Sequence, residues 1–418
     1  MRLLILTQYF SPEVGAPQTR LLAMANELRK LGHEIEVVTA FPNYPEGRIF
    51  PGYGHSLYRR EVRDGITIHR VWLYAALGGG FKRICNYTSF AFSCVFGIVR
   101  SRKPDYIFIE SPSLLLSLPG YVFSRIWGVP YILNVADLWP DSVLEKGFLK
   151  QGFLIESIAW LERWSYKKAA YVNAMTEGMR ATLLREKRLP PGKVLFLPNG
   201  VDTSLYRPRP ADADLKNRLG LQGKKIILYA GTQGHAHALE HVLRAARLLE
   251  DQPEIHFLFL GNGSARAGLE ELHKELQLRN VTFRDPISIE QLPPYFSIAE
   301  CGLSSLRDLP LFDGARPAKV FPVLASGKPL IFVGRGEGAN LVERAKAGIV
   351  VPPANPEALA QAITRLVSDP SLAQELGRNG REFVETNLQW SKLIGDWLES
   401  LAKCGRSGRE VVAEAIRP

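Results

Sequence analysis

Two glycine-containing turns carry the residues of this sequence that are best suited to bind a phosphate group. The first turn lies between a predicted strand, Leu3 to Thr7, and a predicted helix, Thr19 to Leu31. It holds Gly15 and Ala16 just before the helix, where backbone amides bind anions and small residues let a phosphate approach. Many such turns carry a glycine for geometry alone, and the fingerprint G-x-G-x-x-G is absent, which disfavours a dehydrogenase.

The second turn, residues 229 to 240, follows a predicted strand and opens a predicted helix. It contains Gly231, the hydroxyl of Thr232 and the imidazoles of His235 and His237. A diphosphate would fit on this turn. Since no Asp, Glu or Cys at ligand spacing accompanies the two histidines, phosphate contact or simple loop packing is preferred to a metal site.

The elements that position these turns follow from a repeated alternation of short apolar strands and helices. Strands of this kind make parallel sheets that are covered on both faces, and two such series predict two doubly wound α/β domains. The predicted parts are residues 1–202, a polar and Pro-containing linker at 203–224, residues 225–387, and a helix with a tail at 388–418. Ligands bind at the carboxyl ends of such strands, so a cleft between facing domains is the expected active site.

The last predicted helix, Trp390 to Ala402, places its apolar residues on one stripe that has to be buried. From periodicity alone, this helix either crosses back to the first domain or packs on its own domain.

Composition and charge exclude several classes of protein. The chain has 418 residues, of which 46% are hydrophobic, which excludes a disordered chain and a small disulfide scaffold. Residues 1–200 hold 25 Lys and Arg against 16 Asp and Glu, while residues 201–418 hold 27 against 26, so nearly all of the net charge of +10 lies in the first half. This half either meets an anionic partner or has a basic face that keeps the protein soluble. No helix-turn-helix or RNP-like pattern favours nucleic acid.

The four cysteines form no CxxC pair and have no His at ligand spacing, so neither a disulfide framework nor a zinc site is expected, and a cytoplasmic location fits. The stretch Ile84 to Val99 is too short and too polar to span a bilayer. Two interpretations stay open for it. It is a buried helix, or it lies on a membrane surface with Phe90, Phe92 and Phe96 inserted and its basic ends on lipid phosphates.

Ordered motifs along almost the whole chain resemble glycosyltransferase family 4, in the branch that assembles bacterial surface polysaccharides. They are YFSPEVGAP, FPNYPEGRIFPGY, NYTSF, DLWPDS and LPNGVD in the first half, then YAGT, FLGNG, PAKVF and LASGKPL. The resemblance implies the GT-B fold and transfer of a sugar from a nucleotide-sugar, UDP-linked by expectation, with retention of configuration. It also implies no cofactor and no bound metal, so the D-x-D at residues 212–214, which lies in the predicted linker, is attributed to chance.

The resemblance also implies a donor site in the second domain. Gly15 would face the donor diphosphate, with Ala16 where many relatives have a second glycine, and the amide of Gly231 would bind the diphosphate. Thr232 and His237 stand where the family often has Arg and Lys. Positive charge for the leaving group would then come from elsewhere, and the candidates are Arg316 and Lys319.

A second difference from the family pattern concerns the residues expected to bind the ribose of the donor. Many relatives carry two glutamates eight positions apart, and Gly314 and Pro322 stand at these positions here. Glu337 is a nearby acid that would reach a hydroxyl instead.

In the first domain the resemblance points to two acids as the catalytic candidates. Glu110 ends a predicted strand where relatives place a His near the reacting carbon, and Asp137 stands at the Asp of a frequent His-Asp pair, with Ala136 in place of the His. A carboxylate there would orient an acceptor hydroxyl or stabilise positive charge on the sugar, or else only cap the following turn.

The predicted function is therefore a front-face, metal-independent sugar transfer to a polyprenyl-diphosphate-linked or other glycan acceptor. The enzyme would be cytoplasmic and bound peripherally to the anionic inner face of the cell membrane. Two alternatives stay open: a nucleotide-sugar 2-epimerase of the same fold, and a binding protein whose donor site has decayed.

Overall fold

The structure, a computed structural model, describes residues 1–13, 15–44, 46–54, 56–76, 81–111, 113–136 and 153–414. The chain divides into two compact units. Unit 1 is formed by Met1–Asn199 together with Trp390–Pro418, and unit 2 by Gly200–Gln389. Each unit is built on a sheet of mainly parallel strands with helices between them, which confirms the predicted class of two α/β domains.

Unit 1 contains an eight-stranded sheet in the order β3-β4-β2-β1-β5-β6-β7-β8, in which only the edge strand β3 is antiparallel. Leu3 to Leu6 are fully buried because they face an apolar core cluster on each side of the sheet, Leu3 and Ile5 on one side, Leu4 and Leu6 on the other. The strands are β1 (Arg2–Leu6), β2 (Glu34–Ala40), β3 (Tyr58–Arg63), β4 (Ile66–Val71), β5 (Tyr106–Glu110), β6 (Tyr131–Val135), β7 (Tyr171–Ala174) and β8 (Val194–Phe196).

The helices of unit 1 lie on both faces of this sheet. α1 packs through Leu21 and Leu28 into one core cluster, and α2 packs through Phe90 and Cys94 into the other. The described helices between the strands are α1 (Ala16–Lys30), α2 (Phe81–Arg100), α3 (Ser117–Trp127), α4 (Phe153–Lys168) and α5 (Glu177–Arg185).

α2 has one buried side and one exposed side, so neither of the two interpretations of its sequence describes the whole helix. Phe90 is fully buried, so the expectation that it inserts into a membrane is wrong, because it packs in the core of unit 1. Phe92 and Phe96 are exposed on the opposite side of the helix. No helix in the described part of the chain is long and apolar enough to cross a membrane.

Unit 2 contains a six-stranded, fully parallel sheet in the order β11-β10-β9-β12-β13-β14. Its strands are β9 (Lys225–Ala230), β10 (Ile255–Leu260), β11 (Val281–Arg284), β12 (Ala299–Ser305), β13 (Leu330–Val333) and β14 (Gly348–Val351). Its helices are α6 (Ala213–Arg218), α7 (Leu239–Leu248), α8 (Arg266–Glu275), α9 (Leu292–Ile298), α10 (Val320–Ala325), α11 (Glu337–Arg344), α12 (Pro356–Ser368) and α13 (Pro370–Asn387).

The segment 203–224, predicted as a linker, is instead part of unit 2. Its apolar residues Tyr206, Leu215 and Leu221 are buried in the core of that unit, and this burial fixes the segment despite its polar and Pro-containing sequence. The Asp212 carboxylate accepts a hydrogen bond from the Leu215 amide, 2.8 Å away, and so caps the start of α6. The D-x-D at 212–214 therefore has a local structural role.

The C-terminal helix α14 (Trp390–Glu414) completes the core of unit 1. Trp397 is fully buried, with its ring edge-on to Phe108 at a centroid distance of 6.1 Å. Its indole Nε1 donates a hydrogen bond to Asn173 Oδ1 at 3.1 Å. The first half of α14 is thus held by both apolar packing and a buried polar contact.

Substituting Trp397→Phe removes the indole donor but keeps an aromatic ring. We expect the free energy of unfolding of unit 1 to fall by about 1–3 kcal/mol, because an acceptor on Asn173 loses its partner in a dry site. Urea denaturation followed by circular dichroism measures this loss. The matched control is Trp160→Phe at an exposed position, expected to change stability by less than about 0.5 kcal/mol. Equal stability of the two variants would contradict the assigned contact.

Candidate functional site

The turn after β9 is fixed by backbone contacts with the turn after β10. The Gly231 amide donates to the Leu260 carbonyl at 2.9 Å, and the Gln233 amide donates to the Asn262 carbonyl at 2.9 Å. A Cβ at Gly261 would lie 2.1 Å from the Gly231 carbonyl oxygen, so a glycine is required there. The Gly231 amide, which is expected to bind a diphosphate, is used here by the parallel ladder as it continues past β9.

Lys319 is enclosed at the same turn. Its Nζ donates to the Tyr229 hydroxyl at 2.5 Å and lies 3.3 Å from His237 Nε2. A Cβ at Gly231 would come within 3.1 Å of the Lys319 side chain, so the glycine leaves room for the lysine to pass. The Tyr229 hydroxyl in turn donates to the carbonyl of Thr232 at 2.6 Å. Four of the predicted donor residues therefore meet around Tyr229: Gly231, Thr232, His237 and Lys319.

The electrostatics of this cluster are unusual. Burial lowers the pKa of Lys319 to about 7, and burial together with the Lys319 charge lowers the pKa of His237 to about 3. His237 Nδ1 donates to the Ser305 carbonyl at 3.1 Å, which leaves Nε2 as the acceptor that faces Lys319. His237 is therefore a neutral neighbour. In the described part of unit 2, Lys319 contacts a phenol and an imidazole, and no carboxylate pairs with it.

Arg316 and Glu337, predicted separately as donor residues, form an ion pair with each other. Arg316 Nη2 lies 2.8 Å from Glu337 Oε1, and both side chains are largely buried. Glu337 is the first residue of α11, and its amide donates to the Asp313 carbonyl at 2.6 Å. Of the two predicted cations, Arg316 is thus compensated by a carboxylate inside the protein, whereas Lys319 contacts Tyr229 and His237 instead.

Two residues that sequence reasoning missed hold the turn in place. Gln233 is fully buried, and its Nε2 donates to the Gly261 carbonyl at 3.0 Å. Arg307 donates through Nε to the His235 carbonyl at 2.9 Å and through Nη2 to Glu240 at 2.6 Å. Neither belongs to a recognisable motif, because both act through contacts between segments distant in sequence.

Glu110 in unit 1 is fully engaged by neighbouring side chains. It is buried and ion-paired with Arg20, and its other oxygen accepts from Asn134 Nδ2 at 2.8 Å. Asn134 accepts from Asn173 at 2.6 Å, and Asn173 accepts from Trp397. Burial raises the pKa of Glu110, and the Arg20 guanidinium opposes the shift. Glu110 therefore links α1 to β6, and its side-chain contacts are with Arg20 and Asn134 rather than with the following turn. Its expected role toward an acceptor stays a prediction.

The other predicted residues of unit 1 lie at the start of α1 or outside the described residues. Gly15 precedes α1, which begins at Ala16. A Cβ at Gly15 would lie 2.5 Å from Oε1 of the buried Gln18, so the glycine makes room for that amide. Asp137 lies outside the described residues.

Two sequence motifs of unit 1 are tied together by the buried carboxylate of Glu13. One of its oxygens accepts from the amides of Asn43 and Tyr44 at 2.7 and 2.8 Å, and the other accepts from the Phe10 amide at 3.2 Å. These contacts fix the loops that follow β1 and β2. A small cleft opens beside them at the carboxyl ends of β1 and β5, lined by Thr7, Gln8, Tyr9, Pro17, Tyr87, Glu110 and Ser113.

Metal ligands do not cluster in the described residues. No group of three or more His, Cys, Asp or Glu side chains there is arranged to hold a metal ion.

The sequence matches two family models in tandem. The model for the "Glycosyl transferase 4-like domain" matches residues 15–200, and that for "Glycosyl transferases group 1" matches residues 212–383. The chain is 28% identical over 414 residues to the "Putative colanic acid biosynthesis glycosyl transferase WcaI" of Escherichia coli K12, spanning 96% of this chain and 100% of the relative. It is 29% identical over 274 residues to the "Alpha-D-kanosaminyltransferase" of Streptomyces kanamyceticus, spanning 62% of this chain and 67% of that relative.

Solved structures share the fold. Sucrose-phosphate synthase from Thermosynechococcus elongatus aligns with a TM-score of 0.73 at 20% identity, covering 99% of both chains. Anabaena HepE in complex with UDP and glucose aligns with a TM-score of 0.70 at 15% identity, covering 96% of this chain and 99% of HepE.

The buried pair in unit 1 predicts strong coupling between two distant positions. We expect Glu110→Gln to lower the free energy of unfolding by about 3–5 kcal/mol, because it leaves the Arg20 charge buried without a counter-ion. The double variant Arg20→Met/Glu110→Gln is expected to lose less than the two single losses combined. Urea denaturation of all four proteins measures this coupling. Strict additivity would mean that the pair is not formed.

Proposed function

Because the chain belongs to the glycosyltransferases whose 4-like and group 1 domains match it in tandem, we propose that it is a retaining enzyme of surface polysaccharide biosynthesis. Its donor is a UDP-linked sugar, and its acceptor is a lipid-linked or other glycan. The similarity to WcaI, described as a colanic acid enzyme, supports the pathway class, and HepE, solved with UDP-glucose, supports the donor class. The protein works on the cytoplasmic side, against the anionic inner face of the membrane.

The observation that carries the proposal is the enclosed Lys319 at the carboxyl end of β9. A nucleotide-sugar leaves behind a diphosphate, on which negative charge develops as the bond to the sugar breaks. A cation held in a water-poor pocket stabilises that charge better than an exposed one does. Thr232 and His237 bring no charge here, so Lys319 supplies what the usual Arg and Lys supply in relatives.

The transfer proceeds on one face of the sugar. The bond between the anomeric carbon and the β-phosphate oxygen breaks, and the acceptor oxygen forms its bond on that same face. The β-phosphate oxygen takes the acceptor proton as it leaves. The protein contributes positioning and charge, with no residue acting as a nucleophile and no metal taking part.

The first test of the proposal is a transfer assay. The protein is incubated with labelled UDP- and GDP-sugars, with and without a polyprenyl-diphosphate-linked acceptor. We expect an acceptor-dependent product from a UDP-sugar, with retained anomeric configuration by NMR. Conversion of a UDP-sugar in the absence of acceptor would favour an epimerase. Binding of UDP with neither transfer nor donor hydrolysis would favour a binding protein with a decayed site.

The second test isolates Lys319. We expect Lys319→Met to weaken UDP binding, measured by calorimetry, by about 10- to 100-fold, because it removes a charged hydrogen-bond donor to the diphosphate. The matched control is Lys328→Met: Lys328 also has a pKa lowered by burial, but it precedes β13 and donates to the Ser297 carbonyl at the amino ends of the strands. This control is expected to bind UDP like the wild type.

The pH dependence of UDP binding follows from the same lysine. Lys319 is protonated below its pKa of about 7 and loses its charge as the pH rises through that value. Since only the charged form attracts the diphosphate, wild-type affinity is expected to fall above pH 7 by up to about tenfold per pH unit. Lys319→Met is expected to lack this fall. The same slope in both proteins would assign the titration to another group.

A further inference from the structure

The outer side of α2 exposes large apolar side chains that no described element covers. Phe92 is 79% exposed and Phe96 is 61% exposed, while Phe90 and Cys94 on the inner side are fully buried. Val99, one turn beyond Phe96, is exposed as well. An amphipathic helix with aromatic residues on its solvent side needs a partner for that side.

The segment after β4 extends this surface. The Tyr74 amide donates to Ser89 Oγ at 2.8 Å, and Ser93 Oγ donates to the Trp72 carbonyl, so the segment runs along α2. Trp72 and Tyr74 are themselves exposed.

α3 adds to the same side of unit 1. α2 and α3 pack against each other, and their inner residues, Phe90 and Phe123 among them, enter one core cluster on one face of the sheet. Their outer sides therefore both point away from that face. Ile126 of α3 is 66% exposed. We call the combined surface the aromatic face; it consists of Trp72, Tyr74, Phe92, Phe96, Val99 and Ile126.

The segments that form the aromatic face carry basic residues and no acidic ones. Residues 65–104 and 111–136 contain no Asp or Glu. Exposed bases stand at both ends of α2 and on α3: Lys82, Arg83, Arg100, Lys103 and Arg125. Arg102 is different, because Glu34 lies 3.5 Å and Glu36 3.8 Å from its guanidinium.

We infer that the aromatic face docks on an anionic lipid bilayer. Tryptophan, tyrosine and phenylalanine side chains enter the level of the headgroups, while the surrounding bases bind lipid phosphates. A second copy of this chain fits the face poorly, since a symmetric contact would bring one set of bases against the other. The inference deepens the proposed function. It rests on that function in one respect, because the proposed lipid-linked acceptor would lie at the membrane. Docking on the membrane does not require a bound nucleotide-sugar.

The test is co-sedimentation of the full chain with vesicles of phosphatidylcholine containing about 30% phosphatidylglycerol. We expect wild-type binding that weakens with salt, and Phe92→Ser/Phe96→Ser is expected to partition at least about tenfold less. The control Leu248→Ser, at an exposed leucine of unit 2, is expected to bind as the wild type does.

Charge reversal separates the electrostatic contribution to vesicle binding from the contribution of the apolar side chains. Reversing Lys82, Arg83, Arg100 and Lys103 to Glu is expected to abolish the salt-sensitive part of vesicle binding, whereas Arg102→Glu is expected to have a smaller effect because its charge is already paired. UDP affinity, measured by calorimetry, is expected to stay unchanged in all these variants, and circular dichroism is expected to show that unit 1 stays folded.

Two results would overturn the inference. One is vesicle binding that the Phe92→Ser/Phe96→Ser variant retains in full. The other is a lipid-free dimer, detected by analytical ultracentrifugation, that this variant converts to monomer, since the face would then belong to a second copy. A protein that binds vesicles through this face but neither binds nor turns over nucleotide-sugars would contradict the proposed function and leave the docking surface standing.

Discussion

The buried ion pair of Arg20 and Glu110 is the constraint around which unit 1 is organised. A charge taken out of water is costly unless it is paired and hydrogen-bonded, so every neighbour of this pair has to be placed correctly. The pair joins α1 to the end of β5, Asn134 and Asn173 extend it across β6 and β7, and Trp397 attaches α14 to it. This network of polar side chains thus fixes the positions of two helices near the carboxyl ends of three adjacent strands, and Glu110, at one end of the network, lines the cleft of unit 1.

In unit 2, a buried cation near the carboxyl ends of the strands has no carboxylate partner among the described residues, unlike Arg20 in unit 1. Arg316 is neutralised by Glu337, but Lys319 is buried beside a phenol and a neutral imidazole. Enclosing a cation without an acid costs stability, which the lowered pKa of this lysine reflects. Such a cost is typical of sites that await a charged ligand. Under the proposed function, the charges of unit 1 serve the fold and the charge of Lys319 serves binding.

The sequence was sufficient to predict most of the strands, the two α/β domains and the turn after β9, because these depend on local apolar patterns and a glycine-rich motif. It could not reveal that Glu110 pairs with Arg20, 90 positions away, or that Arg316 pairs with Glu337, since such contacts arise only when the chain folds. The same limit applies to residues 203–224. Their polar, proline-containing composition indicates a linker, but three of their apolar side chains are buried in the core of unit 2 and make the segment part of that unit. The hairpin of β3 and β4 was missed because its exposed strand, YRREVR, lacks an apolar run.

The position of α14 in the chain affects the order in which the protein can be built on the ribosome. Trp390, Ile394 and Trp397 complete the apolar core of unit 1, yet they are translated after all of unit 2. Unit 2 is continuous in sequence and can reach its final packing first. Until α14 is made, the cluster around Phe108 is covered by α1 but lacks Trp390, Ile394 and Trp397. The core of the first unit can therefore be completed only after the second unit has been translated.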